Sequence, residues 1–245
     1  MMKLRNLSAC TLAGVLSIST ASAAFHVMQI EQIIGGIDGN TAAQAVQLRM
    51  RQGGQSQLTN TTLVAYDAMG QNAVTLVTIP SSVSNSAGGS RILLTTPAFD
   101  AAMSLDPNYL ATSRDFALTN SIPAAYLNGG KVTFQSGNTI YWAVAFGNYT
   151  GSNTGSTQND SDGNFGAPVA GPLPSGSKQG IIFNGPFTAA STMNSLDYVL
   201  SGNPATVTNN AGESFLVVPE PTSVAMLLLG GIGLSGLIFV RRRNH

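Results

Sequence analysis

Three oxygen-bearing side chains stand at alternate positions in one stretch of the chain, those of Asp160, Asp162 and Asn164. Alternation of this kind brings carboxylate and amide oxygens around a hard cation in calcium-binding loops. Read as an EF-hand, the stretch places Gln158 at the first ligand position and Val169 at the twelfth, so the pattern is incomplete. Because Asp, Asn, Ser and Gly are also the ordinary residues of a solvated turn, the sequence predicts a plain turn without metal, with a calcium loop as the alternative.

Residues for catalysis are scarce. Apart from His245 at the end of the chain, the only histidine is His26, and the chain contains no Gly-x-Ser-x-Gly, His-Glu-x-x-His or Gly-x-x-x-x-Gly-Lys motif. Paired carboxylates could still perform glycoside hydrolysis if two acids met in space. The acids available for that are Glu31, Asp67, Asp115, Asp197 and Glu213. Their spacing predicts no such pair, so we expect a noncatalytic protein without a cofactor.

An aromatic pair could bind sugar. Tyr141 and Trp142 are adjacent in a strand-like segment, and neighbouring residues of a strand point to opposite faces. We expect one ring to enter the core. Stacking of the other on a sugar is the less favoured alternative.

The N-terminus is typical of a signal peptide over residues 1–23. Two basic residues precede an apolar stretch at 9–18, and Ala21 and Ala23 form the small-residue pattern before a cut at Ala24. The apolar stretch is too short to span a bilayer. We therefore expect passage through the general secretory machinery and removal by signal peptidase.

Composition limits the partners of the exported body. Between residues 24 and 218 six basic residues stand against ten acidic ones, and this acidic balance disfavours nucleic acid as a partner. The only cysteine, Cys10, lies in the signal peptide, so the body has no disulfide or thiolate metal site. Only 9% of residues are charged, and such a neutral surface suits a polysaccharide-rich exterior.

The C-terminal end has the pattern of a membrane segment. Residues 224–240 carry no charge, and 17 residues are at the short end of the range for a spanning helix. Arg241, Arg242 and Arg243 follow at once. Because positive clusters stay in the cytoplasm, the body is expected outside the cytoplasm.

Residues before this segment resemble a sorting signal. Pro219, Glu220 and Pro221, the apolar segment and the arginines together resemble the PEP-CTERM tail over residues 218–245, which has also been classed as an ice-binding protein C-terminal segment. The resemblance implies that exosortase recognises the Pro-Glu-Pro element and removes the tail. A permanent single-pass anchor is the alternative.

The remaining 24–217 segment predicts a β-rich extracytoplasmic domain. Alternation is clearest where Val46, Leu48 and Met50 alternate with polar residues. Short strands separated by Gly- and Asn-rich turns predict an all-β fold, an antiparallel β-sandwich, with one helical excursion between Phe99 and Leu110. Residues 148–178, rich in Gly, Ser, Asn and Pro, predict a flexible loop.

Several segments resemble the lamin-tail immunoglobulin-like sandwich of secreted bacterial proteins. They are 26–34, 45–51, Arg91-Ile-Leu-Leu-Thr, Gly129-Gly-Lys-Val and Ile140-Tyr-Trp-Ala-Val-Ala-Phe-Gly. The acidic residues usual in that family near the Trp142 strand are absent. The resemblance implies a binding or structural module.

Together these features predict an exported, noncatalytic surface or extracellular matrix protein associated with exopolysaccharide or biofilm. Its expected partners are exosortase, the export machinery, the membrane through its C-terminal helix, and exopolysaccharide. A secreted hydrolase acting on matrix polysaccharide and a permanently anchored surface binding protein are the alternatives.

Overall fold

A computed structural model describes residues 24–104 and 106–217. The structure does not describe the signal peptide predicted at 1–23, the Pro219 to Pro221 element, the apolar segment at 224–240 or the arginines at 241–243. Within the described ranges, no helix is long and apolar enough to cross a membrane.

The described chain is built from short strands with little helix. The strands are β1 (Met28–Ile34), β2 (Ala45–Met50), β3 (Thr62–Tyr66), β4 (Val74–Thr78), β5 (Arg91–Thr95), β6 (Phe116–Ala117), β7 (Gly129–Ser136), β8 (Thr139–Gly147), β9 (Ile181–Phe183), β10 (Tyr198–Leu200), β11 (Thr206–Thr208) and β12 (Ser214–Leu216). The helices are α1 (Pro97–Met103) and α2 (Asn194–Asp197), and a 3₁₀ turn spans Ala124–Tyr126.

The strands form two main sheets and a separate hairpin. One sheet has the order β10-β9-β1-β2-β5-β6, the other has the order β4-β3-β7-β8, and β11 pairs with β12. All pairs are antiparallel except β5 with β6, which run parallel. The prediction of an all-β fold made of antiparallel sheets is confirmed.

Both sheets contribute to one hydrophobic core. The strand that shows the clearest alternation, β2, turns Val46, Leu48 and Met50 into this core. Phe134 and Trp142, partners across β7 and β8, enter it from the four-stranded sheet. Burying each such side chain contributes roughly 1.5–3 kcal/mol, and this shared layer holds the disulfide-free body together.

The other face of the six-stranded sheet is covered as well. A second cluster joins Leu93 of β5 to Phe99 and Met103 of α1 and to Phe215 of the β11–β12 hairpin. Beside it, the Glu31 carboxylate is 2% exposed and pairs with Arg49 and Arg91, each at 2.7 Å. The polar face of the alternating strand is therefore an internal charged layer.

The helical excursion is shorter than the sequence predicts. Helix α1 begins at Pro97, where the Thr96 hydroxyl caps it by accepting from the Phe99 amide at 3.2 Å. It ends at Met103 instead of reaching Leu110. The next proline is Pro107. Because helical backbone is disfavoured at the residue before a proline, the helix cannot easily continue to Leu110.

Residues 148–178 form a long loop without a strand or helix, and its backbone makes isolated bridges and single hydrogen bonds to the rest of the body. The loop runs along the free edge of β8. Val169 exchanges hydrogen bonds with Gly147 and Ala145, and the Ser156 amide donates to the Ile140 carbonyl at 2.7 Å. The loop thus covers backbone groups of β8 that would otherwise be left at a bare sheet edge.

Candidate functional site

The Asp160 to Asn164 stretch lies in this loop between two fully buried anchors. Asn159 donates to the carbonyls of His26 and Tyr141 and accepts from Arg51 at 2.7 Å. On the other side, the Phe165 ring lies 5.8 Å from the Trp142 ring in the core. The stretch is therefore held at both ends by the folded body.

The side chains of this stretch fold back on its own backbone. Asp160 Oδ1 accepts from the amides of Asp162 at 3.1 Å and Asn164 at 3.2 Å. Asp162 Oδ1 accepts from the Asn164 amide at 2.8 Å, and Asn164 Oδ1 accepts from the Gly166 amide at 3.1 Å. Gly163 has a φ of +72°, a conformation that glycine adopts without strain. The turn places the Asp160 and Asp162 carboxyls next to each other, and Asn164 caps its far end.

One oxygen in this turn has no partner. Asp160 is 2% exposed, and its Oδ2 is buried without a hydrogen-bond donor among the described residues. Burial raises the pKa of the Asp160 carboxyl, and the neighbouring Asp162 carboxyl raises it further. In the described part of the chain, no ion pair involves either acid. No group of three His, Cys, Asp or Glu side chains suited to a metal occurs among the described residues. The turn has two acids and an amide, and calcium there stays the alternative to the plain turn that the sequence predicts.

The five acids considered for hydrolysis all hold contacts within the fold, and two of them, Asp115 and Glu213, lie near each other. Glu31 pairs with arginines inside the sheet, Asp67 closes a turn by accepting from two backbone amides, and Asp197 accepts from a serine and a threonine near α2. Asp115 and Glu213 are near enough to interact. Burial is the main cause that raises the pKa of Asp115, and the charge of Glu213 adds to it. Asp115 Oδ2 accepts from two backbone amides and Glu213 accepts from an asparagine amide. These contacts join the hairpin to the sheet.

The aromatic pair divides between two environments. Trp142 is fully buried, and its Nε1 donates to the Tyr198 hydroxyl at 2.7 Å. Tyr141 is half-buried at the rim, where its ring stacks on His26 at 5.0 Å and meets Phe25 edge-on at 5.5 Å. His26 is thus part of an aromatic rim cluster.

Sequence reasoning missed a buried lysine. Lys131 of β7 is 5% exposed, and its Nζ donates to the Ser152 carbonyl at 2.7 Å. The Nζ also lies 4.9 Å from the Tyr66 ring centroid and 5.4 Å from that of Tyr149. Burial lowers the pKa of Lys131 to about 8. A single lysine in a strand pattern carries no signal for this, because its neighbours come from β3 and the loop.

The last described element of the body is the β11–β12 hairpin. The last described residue, Val217, is fully buried, and its amide donates to the Ala205 carbonyl at 2.9 Å. The body is therefore ordered up to the residue that precedes the predicted tail at 218.

Residues 217–243 match the PEP-CTERM protein-sorting motif. No curated protein matches the chain. The match confirms the predicted sorting tail, and it indicates a surface or secreted protein targeted to exosortase, exported and sorted in association with the membrane.

Proposed function

We propose that this protein is a noncatalytic component of the cell surface or of an exopolysaccharide matrix or biofilm. In this proposal its body is released from the sorting tail by exosortase cleavage at the Pro219 to Pro221 element. The observation that carries the proposal is the sorting motif, which begins at Val217, the last residue that the structure describes.

The body has features that suit a structural or binding module. Two β-sheets share one core, as in an immunoglobulin-like or lamin-tail-like sandwich. The five acids considered for hydrolysis all hold hydrogen bonds or ion pairs within the fold. These contacts support a noncatalytic role over a secreted hydrolase.

The sorting element lies close to the body. Glu220 is three residues beyond Val217, and an extended chain advances at most about 3.6 Å per residue, so Glu220 is within about 11 Å of this anchor. A processing enzyme must therefore act beside the folded domain. Loss of folding would itself disturb processing, so each tail variant needs a folding check.

The test is the intact mass of the protein recovered from the envelope and medium of its native host, with and without exosortase. We expect a shortened or modified C-terminus near Pro219 to Pro221 in the parent strain and an uncut tail in the strain that lacks exosortase. Glu220→Ala should reduce processing because it removes the only charge of the recognition element. Glu213→Gln, which changes the nearest other glutamate and keeps an oxygen that accepts from Asn209, is the matched control and should be processed normally.

A C-terminus at His245 in both strains would refute processing and leave a permanent surface anchor. Equal loss of processing in both glutamate variants, with intact folding, would refute recognition through Glu220. Polysaccharide retention by the purified body, compared with a Tyr141→Ala variant, then tests the matrix role.

A further inference from the structure

Two aspartates of this chain, Asp67 and Asp160, close the same type of turn. They differ in whether the second carboxylate oxygen, Oδ2, receives a hydrogen bond. Asp67 Oδ1 accepts from the amides at positions +2 and +4, Met69 and Gln71. Its Oδ2 accepts from the Asn72 side-chain amide at 2.6 Å. Asp67 therefore has donors on both oxygens.

Asp160 repeats the first half of this arrangement but not the second. Its Oδ1 accepts from the amides at +2 and +4, Asp162 and Asn164. Its Oδ2 is buried and receives no donor, and the side chain that approaches the Asp160 carboxyl is another carboxyl, that of Asp162. A buried carboxylate oxygen without a donor is costly, and an adjacent like charge adds to the cost.

A cation at this position would remove both costs. We propose that Asp160, Asp162 and Asn164 form a calcium-binding site, with Asp160 Oδ2, the Asp162 carboxylate and the Asn164 side-chain oxygen as its protein ligands. The ligand set contains only oxygen, which selects a hard cation. Magnesium gives up its waters reluctantly and requires a near-ideal octahedron, whereas calcium accepts six to eight ligands in flexible geometry, so a turn that offers a buried oxygen in a fixed position suits calcium better.

The fold prepares this site before any ion binds. Asn159 ties the chain to β8 and to Arg51 on one side, and Phe165 packs against Trp142 on the other. Binding therefore needs little ordering of backbone, which lowers its entropic cost. With two carboxylates, we expect a dissociation constant on the order of 0.1–1 mM, as in extracellular calcium modules.

The experiment uses the purified full chain in detergent, freed of divalent cations with a chelator and titrated with calcium chloride in a calorimeter. Asp162→Asn is the main variant, because an asparagine oxygen can still accept from the Asn164 amide while the charge is removed. Asp160→Asn is the second variant and likewise retains its Oδ1 contacts. Asp67→Asn is the matched control, a turn of the same type without the bare oxygen.

We expect the parent and Asp67→Asn proteins to bind one calcium ion with equal affinity, and both loop variants to bind at least tenfold more weakly. At calcium tenfold above the dissociation constant, the melting temperature of the parent should rise by about 3–5 °C. Magnesium chloride at the same concentration should give a much smaller rise.

Absence of calorimetric binding together with an unchanged melting temperature would overturn the proposal and leave the two carboxyls sharing a proton. Equal affinity in the parent and both loop variants would also overturn it, since the ion would then bind elsewhere. The chelated loop variants give a further check: each should melt at or above the chelated parent, because each removes one of two adjacent charges. A lower melting temperature in both variants would contradict the conclusion that Asp160 Oδ2 is buried without a donor.

Discussion

Replacement of Lys131 by methionine tests whether the outer face of the four-stranded sheet buries a charge. The lysine stem lies beneath the loop, and its Nζ reaches only the Ser152 carbonyl and the faces of Tyr66 and Tyr149. Methionine preserves most of the stem volume. The Ser152 carbonyl keeps a second donor, the Tyr149 hydroxyl at 2.7 Å, so the substitution leaves no bare carbonyl.

The magnitude follows from the pKa of Lys131, which burial lowers from 10.5 to about 8. Below about pH 8 the lysine is charged in both states, and the burial penalty is fully present. Between about 8 and 10.5 the unfolded chain holds a proton that the folded chain has released, so the free energy of unfolding rises with pH. At about 1.4 kcal/mol per pH unit the whole rise is about 3 kcal/mol, and the attraction of the tyrosine faces for the cation reduces it towards about 1–2 kcal/mol.

The assay is urea unfolding of the parent and Lys131→Met proteins at several values between about pH 7 and pH 10. We expect the variant to be more stable near neutral pH and the difference to shrink as pH rises. The difference in the free energy of unfolding between parent and variant cancels the titration of groups that both proteins contain. Tyr149 is one of these, and its pKa is raised to about 12 mainly by burial. Lys178→Met, at a partly exposed lysine 3.5 Å from Asp38, is the control for the loss of a lysine charge from the surface. A difference between parent and Lys131→Met that stays constant across this pH range would refute the reasoning.

Two further predictions concern buried polar contacts, both measured by urea unfolding at neutral pH. Glu31→Gln should cost about 1.5–3 kcal/mol, because it removes the counter-charge of Arg49 and Arg91, which are themselves partly exposed. Asp38→Asn, at an exposed ion pair, should cost less than about 1 kcal/mol. Equal costs would contradict the internal charged layer. Asn159→Ala should cost about 3 kcal/mol because three buried hydrogen bonds are lost at once; a cost below about 1 kcal/mol would show that the loop is not anchored there.

Local patterns in the chain were enough to predict many strands. The pair β7 and β8 is an example, since apolar residues flank the turn Ser136-Gly137-Asn138, and Gly137 adopts a φ of +54° there. Alternation in β2 likewise predicted which side chains enter the core. Both signals depend on residues close in sequence, where steric preference and the period of two act directly.

Alternation in β2 gave no warning that its polar face would be internal. That face is covered by α1 and by the β11–β12 hairpin, whose Thr208 amide donates to Gln47 Oε1 across 161 positions of sequence. Glu31 pairs with Arg49 and Arg91 only because β1, β2 and β5 are neighbours. Pairing at such distances depends on strand order, which periodicity does not encode.

The sorting tail was recognisable from a linear motif over residues 217–243, because such a motif is a short run of residue types and does not depend on the fold. The sequence also determined the residue types of the Asp160 turn, and with them the possibility of calcium. Only the tertiary structure decided that Asp160 Oδ2 is buried without a donor while Asp67 Oδ2 has one, and that Lys131 is covered. These differences arise from which distant segments pack over a group, since burial sets the cost of its charge.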